Sequence, residues 1–145
     1  MKGVLMNAIN KIMIVSMLCT STILAYADTP APTSTPDISG TYNCLGSDPF
    51  STPPSFKETI KIAKNGDVYN VQMIHSDSVL PYDFGTGFIS KDMPNVFSYV
   101  YWDPKNTSTM GTEVLLINSD GSLKGAYADH NKTKSGTESC TKASS

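Results

Sequence analysis

Thr109–Cys140 reads TMGTEVLLINSDGSLKGAYADHNKTKSGTESC. Two runs of strand-forming residues flank Asn118-Ser119-Asp120-Gly121, where Asp-Gly supplies the residues that a reversing backbone favours. A third run then ends on Cys140. The stretch therefore reads as a hairpin followed by one more strand. Outward from it the period is two, not three or four. Phe56–Ala63 sets Phe56, Glu58, Ile60 and Ile62 against Lys57, Thr59 and Lys61, the signature of a half-buried strand. Asn65-Gly66 marks a two-residue hairpin, and Val68–His75 returns with Tyr69, Val71, Met73 and His75 on one side.

Further strands are expected at Ile38–Leu45, Tyr82–Ile89, Val96–Trp102, Met110–Asn118, Leu123–Asp129 and Ser135–Thr141. Gly46–Ser55, Lys91–Asn95 and Asp103–Ser108 read as connections from their Pro, Gly and Ser content. Tyr82, Phe84, Thr86 and Phe88 share one face opposite Gly85 and Gly87. Phe97, Tyr99 and Tyr101 oppose Val96, Ser98, Val100 and Trp102. Eight short strands with connections too short for parallel crossovers predict an all-β, antiparallel up-and-down meander closed into a barrel.

The first 27 residues carry the pattern of a cleaved signal peptide. Lys2 and Lys11 precede an apolar run from Ile12 to Leu24, and Ala25-Tyr26-Ala27 offers the small-x-small cleavage site. Asp28–Asp37 is Pro/Thr-rich and predicts an extended, disordered spacer, which leaves 38–142 as a single domain. Loss of Lys2 and Lys11 with the leader takes the formal charge from −2 to −4. After cleavage no stable membrane insertion is expected. The chain contains no arginine, and scattered lysines do not make a phosphate-binding face, so nucleic acid is excluded as a partner. Cys19 leaves with the leader. Cys44 and Cys140 remain as the one possible pair in an oxidising compartment, with two free thiols as the alternative. A bridge between them would lock the first strand to the last.

Gly40-Thr41-Tyr42, Gly66-x-x-Tyr69, Gly85-x-Gly87, Asp120-Gly121-x-Leu123-x-Gly125-x-Tyr127 and Gly136-Thr137-Glu138 together resemble small exported bacterial proteins of calycin-like (lipocalin/avidin-like) type. The resemblance covers roughly Ser39 to Cys140 and implies an eight-stranded meander barrel in a secreted or periplasmic protein. Tyr127 stands where that pattern leads one to expect Trp. The Tyr42-x-Cys44 start and Cys140 also resemble the small periplasmic inhibitors of C-type lysozyme. Those carry Ser-Gly-x-x-Tyr and Trp-x-Lys-Gly motifs; here the first is absent, and Trp102 precedes Asp103-Pro104.

No nucleophile elbow, zinc-helix, phosphate-cradling or Cys-x-x-Cys motif occurs, so neither an enzymatic activity nor a cofactor is expected. His75 and His130 are the only histidines; both read as exposed, and a zinc site joining them to Asp77 and Asp129 has no ligand spacing behind it. Glu58 and Glu113 fall on apolar faces by alternation, and Glu138 sits in Gly-Thr-Glu; two inward carboxyls would hold raised pKa values. The expected function is a binding module for a small apolar or envelope-derived ligand. Tyr69, Tyr82, Phe84, Tyr99, Tyr101 and Trp102 would line its barrel mouth. Inhibition of a secreted hydrolase such as lysozyme is the alternative, through the 46–55 or 103–108 loop.

Overall fold

A computed structural model describes residues 35–144. The leader, Cys19 and residues 28–34 of the spacer lie outside this range. Eight strands follow one another: β1 (Gly40–Ser47), β2 (Ser55–Asn65), β3 (Val68–His75), β4 (Asp83–Ile89), β5 (Val96–Asp103), β6 (Asn106–Ile117), β7 (Leu123–Asp129) and β8 (Gly136–Lys142). Each pairs antiparallel with its sequence neighbours, and β1 pairs with β8, so the sheet closes into an up-and-down barrel with no free edge. The described residues contain no helix.

The seam between β1 and β8 is held covalently. Cys44 faces Cys140 in register, and the two form a disulfide across 96 residues of sequence. Both are buried inside the barrel. In the chain-entropy account a crosslink over so long a loop is worth about 4–5 kcal/mol.

Turn chemistry departs from expectation at two places. Asn65 belongs to β2 and pairs with Val68, so the hairpin tip is Gly66-Asp67 rather than Asn65-Gly66. Only its first position has a positive φ, 65° at Gly66, which matches a II′ turn with Gly leading. Asp103–Ser108, expected as a loop, is mostly strand. Asp103 pairs with Asn106 after a register shift, leaving Pro104-Lys105 at the tip. Proline there has no N–H to lose, and the Asp103 carboxylate accepts the Lys105 N–H at 2.7 Å.

The barrel interior has two halves. At the end carrying the 66–67 and 118–122 turns it is filled by Tyr42, Ile62, Tyr69, Ile89, Phe97 and Leu115. Ile38 precedes β1 and is itself only 2% exposed, and the Tyr42 hydroxyl donates to its carbonyl at 3.0 Å. In β4 the glycine face points inward. A Cβ on Gly87 would lie 2.4 Å from the Cβ of Tyr99, so the absence of a side chain is what lets the β5 aromatics cross the interior. Phe84 and Phe88 consequently face outward with Val100 and Trp102.

Candidate functional site

The other end stays open. There the inward positions of seven strands and the 48–54 loop enclose a cavity of about 260 Å³. Its floor is acidic. Glu58 of β2, Glu113 of β6 and Glu138 of β8 are the chain's only glutamates, and all three are buried, at 3%, 1% and 2% exposed. Asp83 opens β4 beside them and is buried too. Asp129 and Asp48 stand nearer the rim. No lysine lines the cavity.

Period-two alternation places these groups. Glu58 precedes Ile60 and Ile62 on the inner row of β2, Glu113 precedes Leu115 on β6, and Glu138 lies between Gly136 and Cys140 on β8. The strands run in the same sense, so each glutamate falls toward the same end of the barrel.

Tyrosines serve the carboxylates. Tyr82 donates its hydroxyl to Glu58, Tyr99 donates to Glu113, and Tyr101 donates to Asp129 at 2.5 Å. Glu138 has no such donor. No other residue donates to either of its oxygens, and one oxygen each of Glu58 and Glu113 likewise receives no donor from outside the trio. An ionised carboxylate in that position is costly. Burial, then the charge of Glu113, then the hydrogen bond to Glu58 and its charge hold the Glu138 carboxyl far above the usual carboxylate range, and the Glu138 O–H also faces Glu113. Burial also raises Glu113, with the Tyr99 hydroxyl and the Glu138 O–H pulling the other way. Asp83 is raised to about 6 by burial and by Asp103, Glu58 and Asp129. The phenols shift upward for the same reasons, burial first and neighbouring acids second, which keeps them as donors.

The rim is aromatic. The His75 ring stacks on Tyr82 at 3.8 Å and 5°. Phe56 and Tyr127 meet edge to face at 6.0 Å, above the glycines that β1 and β8 place at the seam. Gly111 of β6 leaves room for the Tyr101 hydroxyl.

Of the six aromatic residues expected at the mouth, Tyr82 and Tyr101 line it. Tyr99 is buried in the interior and reaches the site through Glu113. Tyr69 belongs to the filled half and packs edge to face on Phe97. Phe84 and Trp102 pair across β4 and β5 on the outer surface. Their alternation pattern is the same whichever face looks inward, and the glycines opposite them decide it. His75 and His130 are not brought together as zinc ligands: among the described residues the sole compact set of three potential ligand atoms is Cys44, Glu138 and Cys140, whose sulfurs form the disulfide. Sequence reasoning missed Asp83 as a site residue, because it stands at the first position of its strand.

The chain matches no family model and no curated protein.

Proposed function

We propose that this protein is an exported, non-enzymatic binding module, a small calycin-like barrel of the bacterial type, whose open mouth takes one small ligand. The observation that carries the reading is the half-filled interior: an apolar plug at one end and, at the other, a cavity of about 260 Å³ floored by buried carboxyl oxygens without partners. A barrel of eight strands has room for one small ligand when side chains leave it vacant. An apolar ligand would seal those oxygens away from water unpartnered, at a cost of about 1–3 kcal/mol each. The ligand is therefore a polar one that donates hydrogen bonds. The buried disulfide accords with an oxidising, extracytoplasmic setting, in the periplasm or beyond the cell. Binding is favoured over catalysis because, among the described residues, neither histidine is hydrogen-bonded through its ring to a hydroxyl or a carboxylate, as a nucleophile's base would be. The test is a protein-observed NMR screen of small polar, cationic, anionic and apolar compounds. Binding that perturbs the His75 and Tyr82 resonances is expected; compounds that bind only elsewhere, or not at all, would contradict the reading.

A second reading, inhibition of a secreted hydrolase, is favoured by the 48–54 loop. Asp48 accepts the Phe50 N–H at 2.8 Å, and its own N–H donates to the Pro54 carbonyl at 2.8 Å, while Phe50 remains exposed. A preformed loop with a projecting aromatic ring suits insertion into a cleft. Inhibition within a lysozyme and protease panel that Phe50→Ala abolishes would support it; no inhibition across the panel would dispose of it.

A further inference from the structure

We infer that the ligand of the mouth is a small organic cation, a primary amine or diamine, whose ammonium group sits among Glu58, Glu113 and Glu138 in exchange for a proton. This rests on the mouth being a binding site and names the chemistry that fits it.

The donor count leads the argument. The tyrosine hydroxyls are already committed to Glu58, Glu113 and Asp129, so the four remaining carboxyl oxygens of the three glutamates share a single donor, the Glu138 O–H, which faces Glu113 and Glu58. An ammonium group brings three N–H donors and no acceptor. An anion would bring further acceptors into an acidic cavity. Electrostatics point the same way, since the lining holds six carboxyl groups and no lysine, and such a cleft concentrates cations at its entrance.

Geometry favours an organic cation over a metal ion. Calcium or magnesium would draw its oxygens to about 2.0–2.6 Å from one centre. The three glutamates do not present so compact a set; the group that does contains the disulfide sulfurs. A carbon-borne ammonium makes longer N–H···O bonds and carries its own methylenes. These would lie against the ring pairs His75–Tyr82 and Phe56–Tyr127, whose faces and edges receive cationic and aliphatic groups.

Proton exchange follows from the surroundings of Glu138. Facing it are the carboxyls of Glu58 from β2, Asp83 from β4, Glu113 from β6 and Asp129 from β7, with Asp48 beyond β1. The phenols of Tyr82, Tyr99, Tyr101 and Tyr127 and the ring of His75 complete the wall. With no fixed cation among them, Glu138 keeps its proton until a mobile one arrives. The ammonium enters protonated, the Glu138 O–H proton leaves to solvent, and the charge of the site is unchanged.

The test is calorimetric titration of the purified, disulfide-intact chain with 1,4-diaminobutane at pH 7.5, in two buffers of different ionisation enthalpy. Parallel titrations use 1,4-butanediol, succinate and calcium chloride. Saturable diamine binding with release of about one proton is expected, weakening about tenfold per pH unit below neutrality as one coupled proton requires. Succinate and calcium should not compete. Glu138→Gln, which keeps shape and removes the exchangeable proton, should abolish proton release and weaken binding at least about tenfold. The inference falls if the diol binds as well as the diamine, if calcium displaces the diamine, or if binding releases no proton and ignores Glu138→Gln. In those cases perturbation of His75 and Tyr82 by any probe leaves the mouth standing as a binding site. If the diamine fails to bind, the amine assignment is lost; if no compound in the wider screen reaches the mouth, the binding reading goes with it.

Discussion

Glu138→Gln should stabilise the free protein at neutral pH and leave it nearly unchanged in acid. In the fold the Glu138 carboxyl is 2% exposed, receives no donor from any other residue and lies against Glu113 and Glu58, to which its O–H can donate, so it stays protonated at pH 7.5. In the unfolded chain it ionises with an ordinary midpoint of about 4.3. The unfolded state therefore binds fewer protons than the native state throughout this interval, and stability falls as pH rises. One retained proton gives about −1.4 kcal/mol per pH unit, or about 4 kcal/mol between the unfolded midpoint and pH 7.5. Glutamine mimics the protonated acid and has no such linkage. Its amide also finds acceptors in the unpartnered oxygens of Glu58 and Glu113. After some loss to imperfect amide geometry, a net gain of about 2–4 kcal/mol is expected at pH 7.5 and under about 1 kcal/mol at pH 4. Urea denaturation with the disulfide intact reads this as an upward midpoint shift of about one to three molar at pH 7.5. A variant less stable than the parent at pH 7.5, or a difference that is the same at both pH values, would contradict a buried proton on Glu138.

Other perturbations probe the remaining parts. Reducing the Cys44–Cys140 bridge, or replacing both residues with Ala, should cost about 4 kcal/mol, measured by denaturation with and without reductant; an unchanged midpoint would show that pairing alone closes the seam. Tyr99→Phe removes the one hydroxyl that reaches Glu113, and should destabilise by about 1–3 kcal/mol. That loss should grow above the Glu113 midpoint, where the carboxylate is charged; a pH-independent loss would contradict the donor role. Gly111→Ala puts a methyl group where the Tyr101 hydroxyl lies. It should break the Tyr101–Asp129 hydrogen bond at a cost of about 1–3 kcal/mol, visible as a changed Tyr101 environment by NMR.

Strand number, order and closure were legible because they rest on local signals. Alternation ran through Phe56–Ala63 and Val96–Trp102, and glycine marked the turns at Gly66 and Gly121, which do have positive φ. Pairing of Cys44 with Cys140 followed from there being two cysteines after the leader and a meander that brings first and last strands together. Sidedness was harder. Phe84 and Trp102 looked like ligand contacts because apolar faces usually point inward, but a narrow barrel cannot hold large side chains from every strand. Gly85 and Gly87 yield the interior of β4 to Tyr99 and Phe97, and β4's own aromatics are turned outward.

The site was legible by halves. Alternation put Glu58 and Glu113 on the inner rows, but it carried no information on height along the barrel axis. That depends on the stagger of all eight strands, through pairings such as Cys44 with Glu58 and Gly46 with Glu138. Only the closed register shows that the three glutamates share one level. Nor could spacing reveal that tyrosines supply donors to two of them and none to the third, since Tyr82 and Glu58 are 24 residues apart.

Because the chain has only three glutamates, selective ¹³C labelling of glutamate reduces their side-chain carboxyls to three resonances. Following these from pH 3 to pH 9 in the ligand-free protein tests the central claim without mutation. The account predicts that the Glu138 carboxyl remains protonated at pH 7.5. Ionisation of Glu138 with an ordinary midpoint of about 4.3 would contradict it.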